Sequence, residues 1–250
     1  MNQQKDIVLL VLDTQRADRL SCYGYHAETS PHLDALAAEA TRFTQAVSTA
    51  QWTPPAHASL FTGLYPSQHT MTQLTSALPE TLPTLAERLQ QAGYFTAAFS
   101  NNPFIGEMQN GLHRGFDQVV NYHYIGFRLW TTHLNQPNHD SSVDRSPGQR
   151  NVLSRLIDGK NQLTRKTLFA IWPLLEQALK SRGRSKNYNI KRSLTAASDL
   201  LVKRCQAKPG QPIFFFFFLM GTHIPYAPPR WTFKRFVSPL VGERSMYKLL

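Results

Sequence analysis

Cysteine is scarce in this sequence: Cys22 and Cys205 are its only two. Two thiols cannot build a disulfide framework, and they fit a reducing compartment or plain packing. Long apolar runs are lacking too. The longest covers residues 213–220, five consecutive phenylalanines included, far short of the roughly 20 residues a membrane span needs. Residues 1–6 are polar. The apolar run behind them stops at Asp13, too short for a secretory leader and without a small-residue cleavage site. These absences point to a cytoplasmic protein. Acidic residues are outnumbered, 16 against 27 Lys and Arg, for a net charge of +11. The imbalance is local. Residues 145–192 hold twelve basic and two acidic side chains, whereas the rest holds fifteen and fourteen. Such a distribution argues against a uniformly basic nucleic-acid binder; the segment reads as a solvated face or a substrate-facing lid, with contact to a membrane surface or polyanion as the alternative. With 250 residues and 42% hydrophobic side chains, the chain can bury a core as one large α/β domain or two small ones.

Residues 6–13, DIVLLVLD, form an apolar run closed by a carboxylate, which predicts a strand buried on both faces of a parallel sheet. Ser30-Pro31 opens a helix with Leu33, Leu36, Ala37 and Ala40 on one face. Thr84 and Glu87 make a capping box for another, stopped by Gly93. Strands follow at 95–99 and 213–220, the second preceded by a helix over about 194–205. Strand–helix–strand alternation predicts crossover connections and a mostly parallel sheet. Residues 122–151 read as a long irregular insertion, and a basic amphipathic helix is expected over about 164–180; a basic insertion at about 122–192 is the domain reading.

Open α/β sheets place ligands at strand ends. Asp13 ends the first strand and can hold a cation, although a turn or capping aspartate looks the same from position alone. Arg16 and Asp18 read as a structural or surface pair. Thr53, before Pro54, reads as a helix N-cap; its hydroxyl would face the positive end of the dipole, where free N–H groups can hold an anion. The same hydroxyl could serve as a nucleophile. His57 lies one turn on. His223 follows the phenylalanine strand and could donate to a leaving oxygen or bind an oxyanion, although a lone strand-end histidine is usually structural.

Six phrases, VLLVLDTQRADRLSCYGY at 8–25, TSPHLDALAAEATRFTQAVS at 29–48, WTPPAHASLFTGLYPSQHT at 52–70, LPTLAERLQQAGYFTAAF at 82–99, RGFDQVV at 114–120 and GTHIPYAPP at 221–229, resemble in order and spacing the sulfatase branch of the alkaline phosphatase superfamily. The resemblance implies an α/β sandwich with a large, mostly parallel central sheet. It implies a divalent metal ion (Ca, Mg, Mn or Zn) and an anionic ester substrate. Asp13 matches a metal-binding aspartate, with Thr14 where many sulfatases carry a second aspartate. Thr53 falls at the position of the residue oxidised to formylglycine, where it would serve as nucleophile and metal ligand. His57 stands at an arginine position, and His223 matches a substrate-contacting histidine. Asn101 falls at a lysine position as a substrate-binding hydrogen-bond donor.

Threonine cannot yield formylglycine, since oxidation of its secondary alcohol gives a ketone. The resemblance therefore implies attack by Thr53 itself on sulfuric or phosphoric esters. Threonine is also the nucleophile of the phosphodiesterase and phosphoglycol-transferase branches. The metal ligands that family members supply from a later strand end have no counterpart in residues 1–250. The expectation is the N-terminal part of a catalytic domain, with an inactive remnant or binding module of the same fold as the alternative.

Overall fold

The computed structural model describes residues 4–122 and 190–223. The expected insertion at 122–192 and helix at 164–180 lie outside the described residues, Tyr122 and 190–192 apart. Along the chain come β1 (Ile7–Leu12), α1 (Pro31–Glu39), α2 (Thr53–Thr62), the short α3 (Pro66–His69), α4 (Leu85–Gln91), β2 (Phe95–Ser100), β3 (Gln118–Asn121), α5 (Ile190–Ala207) and β4 (Ile213–Leu219). The four strands form one sheet in the order β1-β4-β2-β3, and every pairing is parallel.

The phenylalanine strand organises this core. Successive side chains of a strand point to opposite faces. Phe214, Phe216 and Phe218 therefore join Ala58, Phe61 and Ala86 of α2 and α4, while Phe215 and Phe217 join Phe99 and Ala197 of α5. On one face Phe61 and Phe216 meet edge-on with centroids 5.0 Å apart; on the other Phe99 stacks on Phe217, also at 5.0 Å. Neighbouring β2 pairs Ala97 with Phe215 and Ala98 with Phe216, so small residues stand beside large ones and the layer closes without overpacking.

Two expectations are corrected. β1 is not buried on both faces. It is an edge of the described sheet, with Ile7, Leu9 and Val11 on the α2 side and Val8 and Leu10 left 63% and 48% exposed. Nor does α1 bury an apolar face: Leu33 and Ala37 are half-buried, and Leu36 is exposed.

The capping box of α4 forms as expected. Thr84 Oγ1 accepts from the Glu87 N–H at 3.1 Å, and Glu87 Oε2 accepts from the Thr84 N–H at 2.7 Å. Residues 114–117 then lock β3 to the sheet. Arg114 donates to the Leu82 carbonyl at 2.6 Å. The Gly115 backbone, at φ +81°, passes so close to α4 that a Cβ would sit 2.1 Å from the Glu87 nitrogen. Asp117 Oδ2 accepts from the Thr96 N–H at 2.9 Å.

Candidate active site

The C-terminal ends of three strands converge. The Asp13 N–H, just past β1, donates to the Leu219 carbonyl at 2.9 Å, and the Asn101 N–H, just past β2, donates to the Phe218 carbonyl at 3.0 Å. Asp13 and Asn101 thus flank the end of β4. His223 follows on the same loop, its N–H on the Met220 carbonyl at 3.1 Å. Burial raises the Asp13 carboxyl above its ordinary range, while the His223 charge and the Thr14 backbone N–H pull it back.

Helix α2 brings the fourth group. The His57 ring lies 4.3 Å from Phe218 and 6.0 Å from Phe216. One turn on, Phe61 reaches Phe216 and Phe116. One turn of helix advances about 5.4 Å, so α2 runs back against the direction of β4. Its first residue, Thr53, lies a further turn toward the strand ends that carry Asp13, Asn101 and His223.

The sequence expectation for Thr53 needs correcting by one residue. Trp52 is the cap, extended at φ −147° and ψ 166°, and Thr53 is the first helical residue. At Thr53 the backbone carbonyl is held by His57, and the hydroxyl has no hydrogen-bond partner among the described residues. The expected anion cradle of helix N–H groups is also absent there. Pro54 and Pro55 have no N–H, and the Ala56 N–H is spent on the Trp52 carbonyl at 3.3 Å. Only Thr53 retains a backbone donor in the first three helical positions.

His57 is placed in the core rather than in an anion pocket. Its Nδ1 donates to the Thr53 carbonyl at 2.9 Å, leaving Nε2 buried and unpartnered among the described residues. Burial pushes its pKa down to about 4, so the ring is neutral at pH 7 and does not replace the cationic arginine of the resemblance. Asn101 also differs from expectation. Its Nδ2 donates to Ser193 Oγ on α5 at 3.2 Å, and the atom left buried and unpartnered is the acceptor Oδ1. Arg16 and Asp18 pair with each other at 2.5 Å in exposed positions.

Two acceptor oxygens remain unsatisfied at the strand ends. Asp13 Oδ2 and Asn101 Oδ1 are both buried oxygens without a partner among the described residues, which is costly unless a donor, a water or a cation satisfies them. Among the described residues no group of three or more His, Cys, Asp or Glu side chains assembles. Sequence reasoning missed Thr222 and Ser193. Thr14 Oγ1 donates to the Thr222 carbonyl at 2.7 Å, and Thr222 Oγ1 donates to the Asp13 carbonyl. No local signal joins residues so far apart in sequence.

Comparison with known proteins bears on family and fold. The sulfatase family model matches residues 5–244. The chain belongs to the sulfatase family. Among its curated relatives, the N-acetylgalactosamine-6-O-sulfatase of Bacteroides thetaiotaomicron is 32% identical over 100 residues, 38% of this chain and 20% of that protein. Among solved structures, the phosphonate monoester hydrolase of Agrobacterium radiobacter aligns with a TM-score of 0.57 at 20% identity, over 96% of this chain and 45% of the other. The C-terminal periplasmic domain of EcEptC from Escherichia coli, solved with Zn, aligns with a TM-score of 0.54 at 19% identity, over 99% and 54%. This sulfatase-family chain therefore spans about half of those solved chains, and its match covers a fifth of the curated relative. The fold is the expected α/β arrangement with a mostly parallel central sheet.

Proposed function

We propose that this chain carries the nucleophile-bearing part of a hydrolase of sulfuric or phosphoric esters, with Thr53 as nucleophile. The observation that carries the reading is the Thr53 hydroxyl. It opens α2, one residue past the cap, at the strand-end corner of the sheet, and it has no hydrogen-bond partner among the described residues. Relatives named as acting on sulfate esters and a structural neighbour named for phosphonate monoesters bracket the ester class. Because threonine attacks directly, as an alkoxide, phosphoric esters are the better fit of the two.

Members of this family generally use a divalent metal ion. Asp13 Oδ2 and the Thr53 hydroxyl are the groups that would hold one, both oxygens suited to a hard cation. When bound, such an ion supplies positive charge that favours the alkoxide and the developing oxyanion. The chain's own groups do the rest. Thr53 Oγ1 forms a bond to phosphorus or sulfur as the bond to the ester oxygen breaks. The hydroxyl proton passes to solvent, and His223 gives a proton to the departing oxygen. Water then cleaves the Thr53 ester, returning the hydroxyl and releasing phosphate or sulfate. His57 holds the Thr53 carbonyl and fixes the nucleophile's backbone.

The test uses p-nitrophenyl phosphate, bis(p-nitrophenyl) phosphate and p-nitrophenyl sulfate with added Mn²⁺. We expect turnover of at least one phosphate ester, a loss of about 10³-fold or more in Thr53→Ala, and activity within about tenfold of wild type in Thr53→Ser. Full activity in Thr53→Ala overturns the nucleophile. Inertness of the wild-type chain toward all three esters favours a non-catalytic module instead.

A further inference from the structure

We infer that Thr14 and Thr222 form a positioning clamp that holds Asp13 beside His223 across the end of β4. The inference rests on the reading of Asp13 as a cation-holding carboxylate. The clamp itself is visible in the hydrogen bonds. Thr14 Oγ1 donates to the Thr222 carbonyl at 2.7 Å across 208 positions of sequence. In return, Thr222 Oγ1 donates to the carbonyl of Asp13. With the Asp13 N–H on Leu219 and the His223 N–H on Met220, the loops after β1 and β4 close into one ring of bonds. Asp13 and His223 are the residues next to the clamp on either side.

The backbone shows what the ring has to hold. Thr14 sits at φ +57°, in the left-handed region that a β-branched residue avoids. Such a conformation persists where surrounding bonds over-determine it, and it gathers at functional sites. The turn aims the Thr14 hydroxyl at a carbonyl of the opposite loop. Thr14 thus acts through its neighbours, orienting Asp13 by a contact of the kind that tunes a metal ligand from outside.

The test compares Thr14→Gly, which keeps the left-handed turn but removes the hydroxyl, with Thr222→Val, Thr14→Ser and Thr222→Ser in the full chain. Two readouts are taken. Calorimetric titration with Mn²⁺ alone should show Thr14→Gly and Thr222→Val binding about tenfold or more weakly, and both serine variants binding as wild type. The second readout needs no metal. At fixed pH, Asp13→Asn should move the His223 ring resonances in the NMR spectrum of the wild-type background, and by less than half as much in the Thr14→Gly and Thr222→Val backgrounds. Undiminished coupling in both backgrounds overturns the clamp, as does a serine variant that couples as weakly as the hydroxyl deletions. If wild type takes up no Mn²⁺, the metal reading of the corner fails by itself, and the ring resonances decide the clamp.

Discussion

The His57 imidazole leans on the Phe218 ring, centroids 4.3 Å apart and planes tilted by 50°. That contact joins the helix that carries Thr53 to the strand whose end is flanked by Asp13 and Asn101. Core and candidate site therefore share residues, and changes to one are felt in the other.

The first consequence is acid sensitivity. His57 is neutral in the fold, with a pKa of about 4, against about 6.5 in an unfolded chain. Between those values the unfolded state binds the extra proton. The stabilising contribution is therefore complete above pH 6.5 and is lost as pH falls toward 4. At 1.36 kcal/mol per pH unit the loss is about 3 kcal/mol. Burial and the nearby Arg114 charge also lower His113, which adds in the same direction. Urea unfolding at pH 7 and pH 5 should show a clear drop, and His57→Gln should make it shallower.

Phe216 is fully buried and touches rings from α2 and from Phe116. Phe216→Ala should cost about 3–5 kcal/mol, the range for emptying a large aromatic site. A loss below about 1 kcal/mol in equilibrium unfolding would show that the core collapses around the gap.

Gly115 has no room for a side chain. A Cβ would meet backbone atoms of α4, with the Glu87 nitrogen at 2.1 Å, and its φ is +81°. Both the clash and the left-handed backbone oppose substitution. Gly115→Ala should destabilise by more than about 2 kcal/mol, read as a fall in the unfolding midpoint. Thr84→Ala, which removes the cap oxygen and its donation to the Arg114 carbonyl at 3.0 Å, should cost about 1–2 kcal/mol.

Asn101 offers an acceptor to the corner. If a cation uses it, Asn101→Asp should tighten Mn²⁺ binding by about tenfold, or about 1.4 kcal/mol. Asn101→Leu should weaken it. Titration calorimetry separates these outcomes, and equal affinity in all three proteins would remove Asn101 from the cation's surroundings.

Much of this was legible from local chemistry. Thr84 and Glu87 stand at capping-box spacing, β2 and β4 are apolar runs between turn residues, and parallel pairing follows from strand–helix alternation. The edge position of β1 was not legible, because a run such as IVLLVL reads alike whether one face or two are covered. Nor was the start of α2. Thr53 has the chemistry of a cap, and the residue before a proline is usually extended. Here Trp52 takes the extended place, and the Thr53 carbonyl is held by His57. At the site, strand ends marked Asp13 and His223, but the direction of the Asn101 amide depends on Ser193, 92 positions away. Pairings at that range leave no trace in a local pattern.

The sheet order β1-β4-β2-β3 also sets a schedule for synthesis. The strand that sits between β1 and β2 is the last of the four to leave the ribosome. Until residues 213–219 emerge, β1 and β2 have no common neighbour, and the open edges between them invite wrong partners. When the strand does emerge it is an uncharged aromatic ribbon, the type of segment that self-associates when left uncovered. Lys208, Pro209, Gly210 and Pro212 stand just ahead of it as gatekeepers. Nascent chains of this protein should therefore depend on chaperones most strongly in the interval between release of β4 and its insertion into the sheet.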